Sequence, residues 1–133
     1  MKHIVLTTLI LAFSLTSAAC PISPFKRVTL ESDKFLEQSD VMFFGRLESE
    51  EIDSEAMEQT ATFTVIKSYK GNVNGKVIIK NKLSSSCSRG FQVPQSAFYV
   101  YAKSTEKNAI YKISGFASFV PLGSAQELEW SPE

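Results

Sequence analysis

The sequence predicts a mainly β protein, five strands rolled into a small antiparallel barrel or sandwich with one early helix. Three observations carry that prediction. Stretches of alternating apolar and polar residues recur along the chain. Turn-forming residues punctuate it at roughly ten- to fifteen-residue intervals. Only one early stretch has clear helical spacing.

Taken in order, residues 20–27 hold Pro21 and Pro24 and should run extended. Proline fixes φ and pushes its predecessor out of the helical region. Residues 29–40 read as the helix, with Leu30, Phe35 and Leu36 on one face and Asp33, Lys34 and Glu37 outward. Thr29 or Ser32 supplies the cap, and Glu31, Asp33 and Glu37 fall in the early turns that favour acidic side chains.

Residues 41–47 (VMFFGRL) form the first predicted strand, with Gly45 a bulge or bend. Residues 48–59 read as a polar connection rich in acid: Glu48, Glu50, Glu51, Asp53, Glu55 and Glu58. Residues 60–70 give the clearest strand, where Phe63, Val65 and Tyr69 alternate with Thr62, Thr64 and Ser68. The Asn and Gly content of residues 71–75 (GNVNG) predicts a turn, and residues 76–80 then complete a hairpin. Residues 83–90 (LSSSCSRG) are irregular. Residues 97–102 (AFYVYA) are apolar on both faces, as a central strand should be, and residues 109–113 (AIYKI) form the fifth strand. Phe116 and Phe119 pack a less regular stretch, and residues 125–130 read as a short C-terminal helix. The expected core is Phe43, Phe63, Val65, Ile78, Phe98, Val100, Ile113 and Phe119.

The chain has 133 residues, 44% hydrophobic and 21% charged, with 14 cationic and 14 acidic side chains. This is ordinary globular composition for one domain, and it gives no basic excess to suggest nucleic acid as the partner. Residues 1–19 have the pattern of a cleaved signal: Lys2 and His3, then an apolar run, then small residues ending in Ala18 and Ala19. The run is short for a bilayer span. Residues 20–133 then form the mature single domain, expected to be exported and monomeric. His3 is the sole histidine. Its removal excludes Ser-His-Asp and Cys-His catalysis and every metal site built on imidazole.

Cys20 becomes the first mature residue. One fate is a soluble protein with a free α-amine. The other is lipidation, although a lipoprotein signal normally has Leu three positions earlier, where Ser17 stands. Cys87 is the one other cysteine. In an exported protein a single disulfide between the two is the natural reading, with two free thiols, or a lipidated Cys20 beside a free Cys87, as the alternatives. The bridge would close a long loop worth roughly 4 kcal/mol by chain entropy, and it would pin the mature N-terminus against residues 84–89.

Several segments in order carry a family resemblance. They are the post-signal cysteine, a helix ending in Ser39-Asp40, the strand Val-Met-Phe-Phe-Gly-Arg, Ser68-Tyr69-Lys70-Gly71, Ser84-Ser85-Ser86-Cys87 and Phe98-Tyr99-Val100-Tyr101-Ala102. The mature chain resembles small bacterial proteins similar to tissue inhibitors of metalloproteinases, in the netrin-like group. The resemblance implies an OB-like five-stranded barrel and a Cys20–Cys87 disulfide. It also implies that the α-amine and carbonyl of Cys20 chelate a protease's catalytic zinc, with Cys20, Pro21, Ile22, Ser84, Ser85, Ser86 and Ser88 as the partner-binding residues. A neutral amine and a carbonyl oxygen suit the open position of a catalytic zinc.

The departures are specific. Ile22 stands where the family has a second cysteine, and Ile113-Ser114-Gly115 stands where its partner would be. Ser88, not Gly, follows Cys87. Pro21 sits where a side chain should enter the protease's specificity pocket, and a proline ring points differently.

The remaining motifs have blander readings. The acidic run lacks the regular spacing of a calcium loop and reads as a solvated hairpin tip or a docking edge. Lys67, Lys70, Lys76, Lys80 and Lys82 surround one hairpin. With Tyr69, Tyr99 and Tyr101 they would suit a glycan-binding OB module, but exposed-strand lysines also guard edges. Ser84 to Ser86 have no activating base and no S-x-x-K lysine, so a turn is expected there. The expected function is therefore an exported non-enzymatic binding module without a cofactor or a metal of its own. Inhibition of a zinc metalloprotease is its sharpest form. A structural or lipid-anchored envelope protein, or a glycan binder, is the alternative. Membrane attachment is expected only with a lipidated Cys20.

Overall fold

A computed structural model describes residues 23–83, 88–92, 96–113 and 118–132. The strands are β1 (Val41–Asp53), β2 (Glu58–Lys70), β3 (Lys76–Lys82), β4 (Ala97–Ser104), β5 (Ile110–Ile113) and β6 (Phe119–Pro121). They form one sheet in the order β1-β2-β3-β5-β4-β6, and β1 also pairs with β4. Strands β1 to β5 thus close into the expected OB-like barrel, with β6 as an additional strand on the edge of β4. The pairings are antiparallel except β3–β5, which is parallel. That pair corrects the all-antiparallel expectation. A parallel neighbour needs a long crossover, and residues 83–109, with β4 inside them, supply it.

Strand interiors follow the period-two pattern. In β2, Gln59, Ala61 and Phe63 are buried between half-buried threonines. In β3, Val77, Ile79 and Asn81 point inward. Ile78, expected in the core, therefore faces outward, because its two neighbours take the inward phase. Val65 is half-buried against the core, and the other six expected core residues are buried. Phe116 lies outside the described residues. The bend expected at Gly45 is present as a register shift in the β1–β2 ladder. A Cβ there would lie 2.9 Å from the Phe43 ring and 3.1 Å from the Thr64 carbonyl.

The polar connection expected over residues 48–59 is mostly strand. β1 runs on to Asp53 and β2 starts at Glu58, leaving residues 54–57 as the turn. Cross-strand hydrogen bonding continues through acidic positions because their side chains stay in solvent.

The expected single helix is two, α1 (Pro24–Leu30) and α2 (Ser32–Gln38), separated at Glu31. Residues 24–27 are helical where an extended run was expected. Pro24 stands at the first helical position, where its missing N–H costs no bond and its φ is already helical. The buried face changes accordingly. Pro24 and Val28 are buried, Phe35 is half-buried, and Leu30 is 68% exposed. The C-terminal helix α3 (Leu122–Glu127) starts earlier than expected, straight after Pro121, and Trp130 lies beyond it. These helices cover the outer face of β1, β4 and β6 through a second apolar cluster of Val28, Met42, Tyr101, Val120 and Ala125.

The turn at residues 71–75 has Gly71, Asn72 and Gly75 at positive φ. Gly71 is at φ +86°, and a Cβ on it would meet Val41 Cγ1 at 2.7 Å and the Asp40 carbonyl at 2.8 Å. Gly71→Ala is expected to destabilise the protein by more than about 1 kcal/mol in urea unfolding. A change within about 0.5 kcal/mol, as at an ordinary surface site, would refute that.

Candidate functional site

Of the residues expected to bind a partner, Cys20, Pro21, Ile22, Ser84, Ser85 and Ser86 lie outside the described residues. So do Cys87, the expected disulfide and the expected leader. Ser88 is described. It is half-buried, and its carbonyl accepts a hydrogen bond from Arg89 Nη1 at 3.1 Å. The site is therefore built on residues 88–92, directly downstream of Cys87.

This segment has no regular structure, yet it is held tightly. Gln59 and Asn81 are register partners on β2 and β3, both aimed inward and only 1% and 3% exposed. Gln59 Nε2 donates to the Phe91 carbonyl at 2.9 Å and to Glu50 Oε2 at 2.8 Å. Gln59 Oε1 accepts from the Phe91 N–H at 2.8 Å and from Asn81 Nδ2 at 3.3 Å. Asn81 Nδ2 also donates to the Arg89 carbonyl at 2.8 Å. Gln59 thus satisfies all its donors and acceptors, copying in side-chain form the two bonds of a paired strand residue. Gly90 lets the backbone come this close, since a Cβ there would lie 3.2 Å from Gln59 Oε1.

Phe91 anchors the segment from its apolar side. It is 1% exposed, with its ring 4.9 Å from Phe63, 5.2 Å from Phe98 and 4.2 Å from Phe119. Beside the clamp runs an open groove of about 440 Å³. Glu50 gives it a polar wall, Ile52 and Leu83 an apolar one, and Ser88 and Gly90 line its rim. Ile52 is largely exposed. Chemically, this is an edge held in place by the barrel's own hydrogen bonds and core packing.

The acidic run divides into separately engaged carboxylates. Glu48 Oε1 accepts from Thr64 Oγ1 at 2.8 Å and lies 2.9 Å from Arg46 Nη2. These hydrogen bonds, Thr64 first and then Arg46, hold its carboxyl below the ordinary range. Glu50 belongs to the clamp, Asp53 Oδ1 accepts from the N–H groups of Glu55 and Ala56, and Glu58 lies 3.9 Å from Lys80 Nζ. Among the described residues no three His, Cys, Asp or Glu side chains gather as a metal site.

The tyrosines expected together do gather, Tyr69 lying 6.3 Å from Tyr99 and both packing against the cluster that holds Tyr101. Of the lysines, Lys67 joins them, whereas Lys70 and Lys80 turn elsewhere. Lys67 Nζ sits 4.8 Å over the Tyr69 ring, Lys70 Nζ donates to the Leu36 carbonyl at 2.8 Å, and Lys80 Nζ donates to Thr60 Oγ1 at 3.0 Å. Tyr99 is half-buried between Phe44, at 4.6 Å, and Trp130, at 5.2 Å. Tyr101 is only 3% exposed, and burial, with nearby Asp33 and Tyr69, pushes its hydroxyl up to about 12.

The residues that sequence reasoning missed are Gln59, Asn81 and Phe91. The available signal was an amide at the inward phase of each of two adjacent strands. Comparison with family models and with curated proteins finds no match to this chain.

Proposed function

We propose that this protein is an exported, non-enzymatic binding module that engages a zinc metalloprotease through the barrel edge just past Cys87. In this reading Cys20 is the mature N-terminus and is bridged to Cys87. Its neutral α-amine and carbonyl take the open position on the protease's zinc. The observation that supports the reading is the Gln59–Asn81 clamp. It holds the backbone of Arg89 and Phe91 rigid immediately downstream of Cys87. A rigid edge binds with less entropy loss, which is what an inhibitory wedge requires.

The test is the intact mass of the exported protein, with and without reduction, and then a zinc endopeptidase assay. The expected mass begins at unacylated Cys20 and gains the two hydrogens of a reduced disulfide. Inhibition should then disappear when one alanine is added ahead of Cys20, which displaces the amine. An acyl-shifted mass would overturn the proposal and leave an anchored envelope protein. Absent inhibition, together with glycan binding that falls in Tyr99→Ala, would replace it with the glycan-binding reading.

A further inference from the structure

Between α1, α2 and the outer faces of β4 and β5 lies a cleft of about 280 Å³. It shares no lining residue with the groove at residues 88–92. Arg27, Lys34, Lys103 and Lys112 line it, against the single carboxylate of Glu31. That carboxylate is already engaged: Arg27 Nε lies 2.9 Å from Glu31 Oε2, and the hydrogen bond holds the Glu31 carboxyl below its ordinary range.

The three lysines are arranged unusually. Lys103 and Lys112 are directly opposed partners on antiparallel β4 and β5. Like charges at that separation, about 5 Å between Cβ atoms, disfavour the pairing. Lys112 also has Lys80 as its register partner across the parallel β3–β5 pair, but Lys80 turns to Thr60 and Glu58. Among the described residues, no ion pair joins Lys34, Lys103 or Lys112 to a carboxylate. Lys34 acts on the Glu31 carboxylate at longer range and Asp33 lies near Tyr101, but neither acid pairs with the opposed Lys103 and Lys112. The chain as a whole is charge-balanced, so a general basic excess does not explain the cluster. The inner wall is the half-buried ring of Phe35, which packs 5.8 Å from the ring of Tyr101, itself only 3% exposed behind it.

We propose that this cleft binds a small organic anion, with a planar body against Phe35 and a phosphate-monoester type of head between Lys34, Lys103 and Lys112. Ammonium groups serve a phosphate as point charges, and the head relieves the repulsion between the opposed lysines. The cavity is close to the lower end of small-molecule site volumes, roughly 300 Å³. The cleft does not depend on protease inhibition, so either proposal stands if the other fails.

The experiment is calorimetric titration of the exported protein with phenyl phosphate at low ionic strength. Inorganic phosphate and benzyl alcohol are titrated in parallel. Phenyl phosphate should bind, and Lys103→Gln combined with Lys112→Gln should weaken it at least about tenfold. Lys76→Gln, outside the cleft, should leave binding unchanged. Without ligand the double variant should unfold at no lower temperature than the parent, because an opposed charge pair has been removed. If the double variant does not fold, Lys34→Gln on the exposed surface of α2 should weaken binding in its place. Absence of binding, equal affinity in parent and variants, or benzyl alcohol binding as tightly as phenyl phosphate would overturn the proposal. Inorganic phosphate binding as tightly would overturn the aromatic wall.

Discussion

Phe91→Ala is expected to lower the unfolding free energy by about 3–5 kcal/mol, the range for truncating a fully buried aromatic side chain. Phe91 lies in a segment without helix or strand, where most substitutions are mild. Its ring, however, sits among Phe63, Phe98 and Phe119 and contributes to the centre of the barrel core. Truncation leaves a cavity that β2, β4 and β6 cannot close, because each is held in its ladder. Urea unfolding measures the loss. Amide exchange across residues 88–92 should quicken with it, since the ring is what fastens that segment to the core. A loss below about 1 kcal/mol would show that the segment contributes nothing to the core.

Gln59→Leu is expected to cost about 2–4 kcal/mol, although it replaces a buried polar residue by an apolar one of similar size. The cost lies in the partners left behind. The Phe91 N–H and C=O and the Asn81 amide each lose a bond in a buried place, at roughly 1–3 kcal/mol per unsatisfied group before relaxation. Gln59→Glu offers a sharper form of the test. The introduced carboxylate would face Glu50, whose Oε2 now accepts from the Gln59 amide at 2.8 Å. Two carboxylates at that distance raise the folded-state pKa above the unfolded value. The folded state then binds the extra proton, so this variant should regain stability as pH falls through the raised folded pKa. A neutral effect of Gln59→Leu, or a Gln59→Glu variant that keeps losing stability on acidification, would refute the clamp. Because Gln59 and Phe91 touch, the combined loss should be smaller than the two single losses added.

The strands are legible in the sequence for a local reason. Thr62, Phe63, Thr64 and Val65 alternate in a way that only a half-buried strand rewards, and Gly71 to Gly75 carry the turn chemistry. Their boundaries are less legible. Glu48 to Asp53 look like a connection because acid usually marks loops, yet they pair as strand while their side chains stay wet. Ile78 is ambiguous because three apolar residues in a row, Val77 to Ile79, leave the phase open until a neighbouring strand selects it. Pro24 looks like a helix breaker, and its position at the helix start reverses its meaning.

Alternation and turn chemistry act over a few residues, so the amino-acid order alone was enough for the class of fold, the succession of five strands and most of the barrel core. How those strands meet emerged only once the chain was folded. The folded chain pairs β3 with β5 in parallel to close the barrel, adds β6, seats Phe91 in the core and gives Gln59 a backbone thirty-two positions away to hold. It also sets Lys103 against Lys112 across two strands. Each of these depends on which distant edges come together, and that is settled by burial and hydrogen-bond satisfaction over the whole barrel rather than within any one segment.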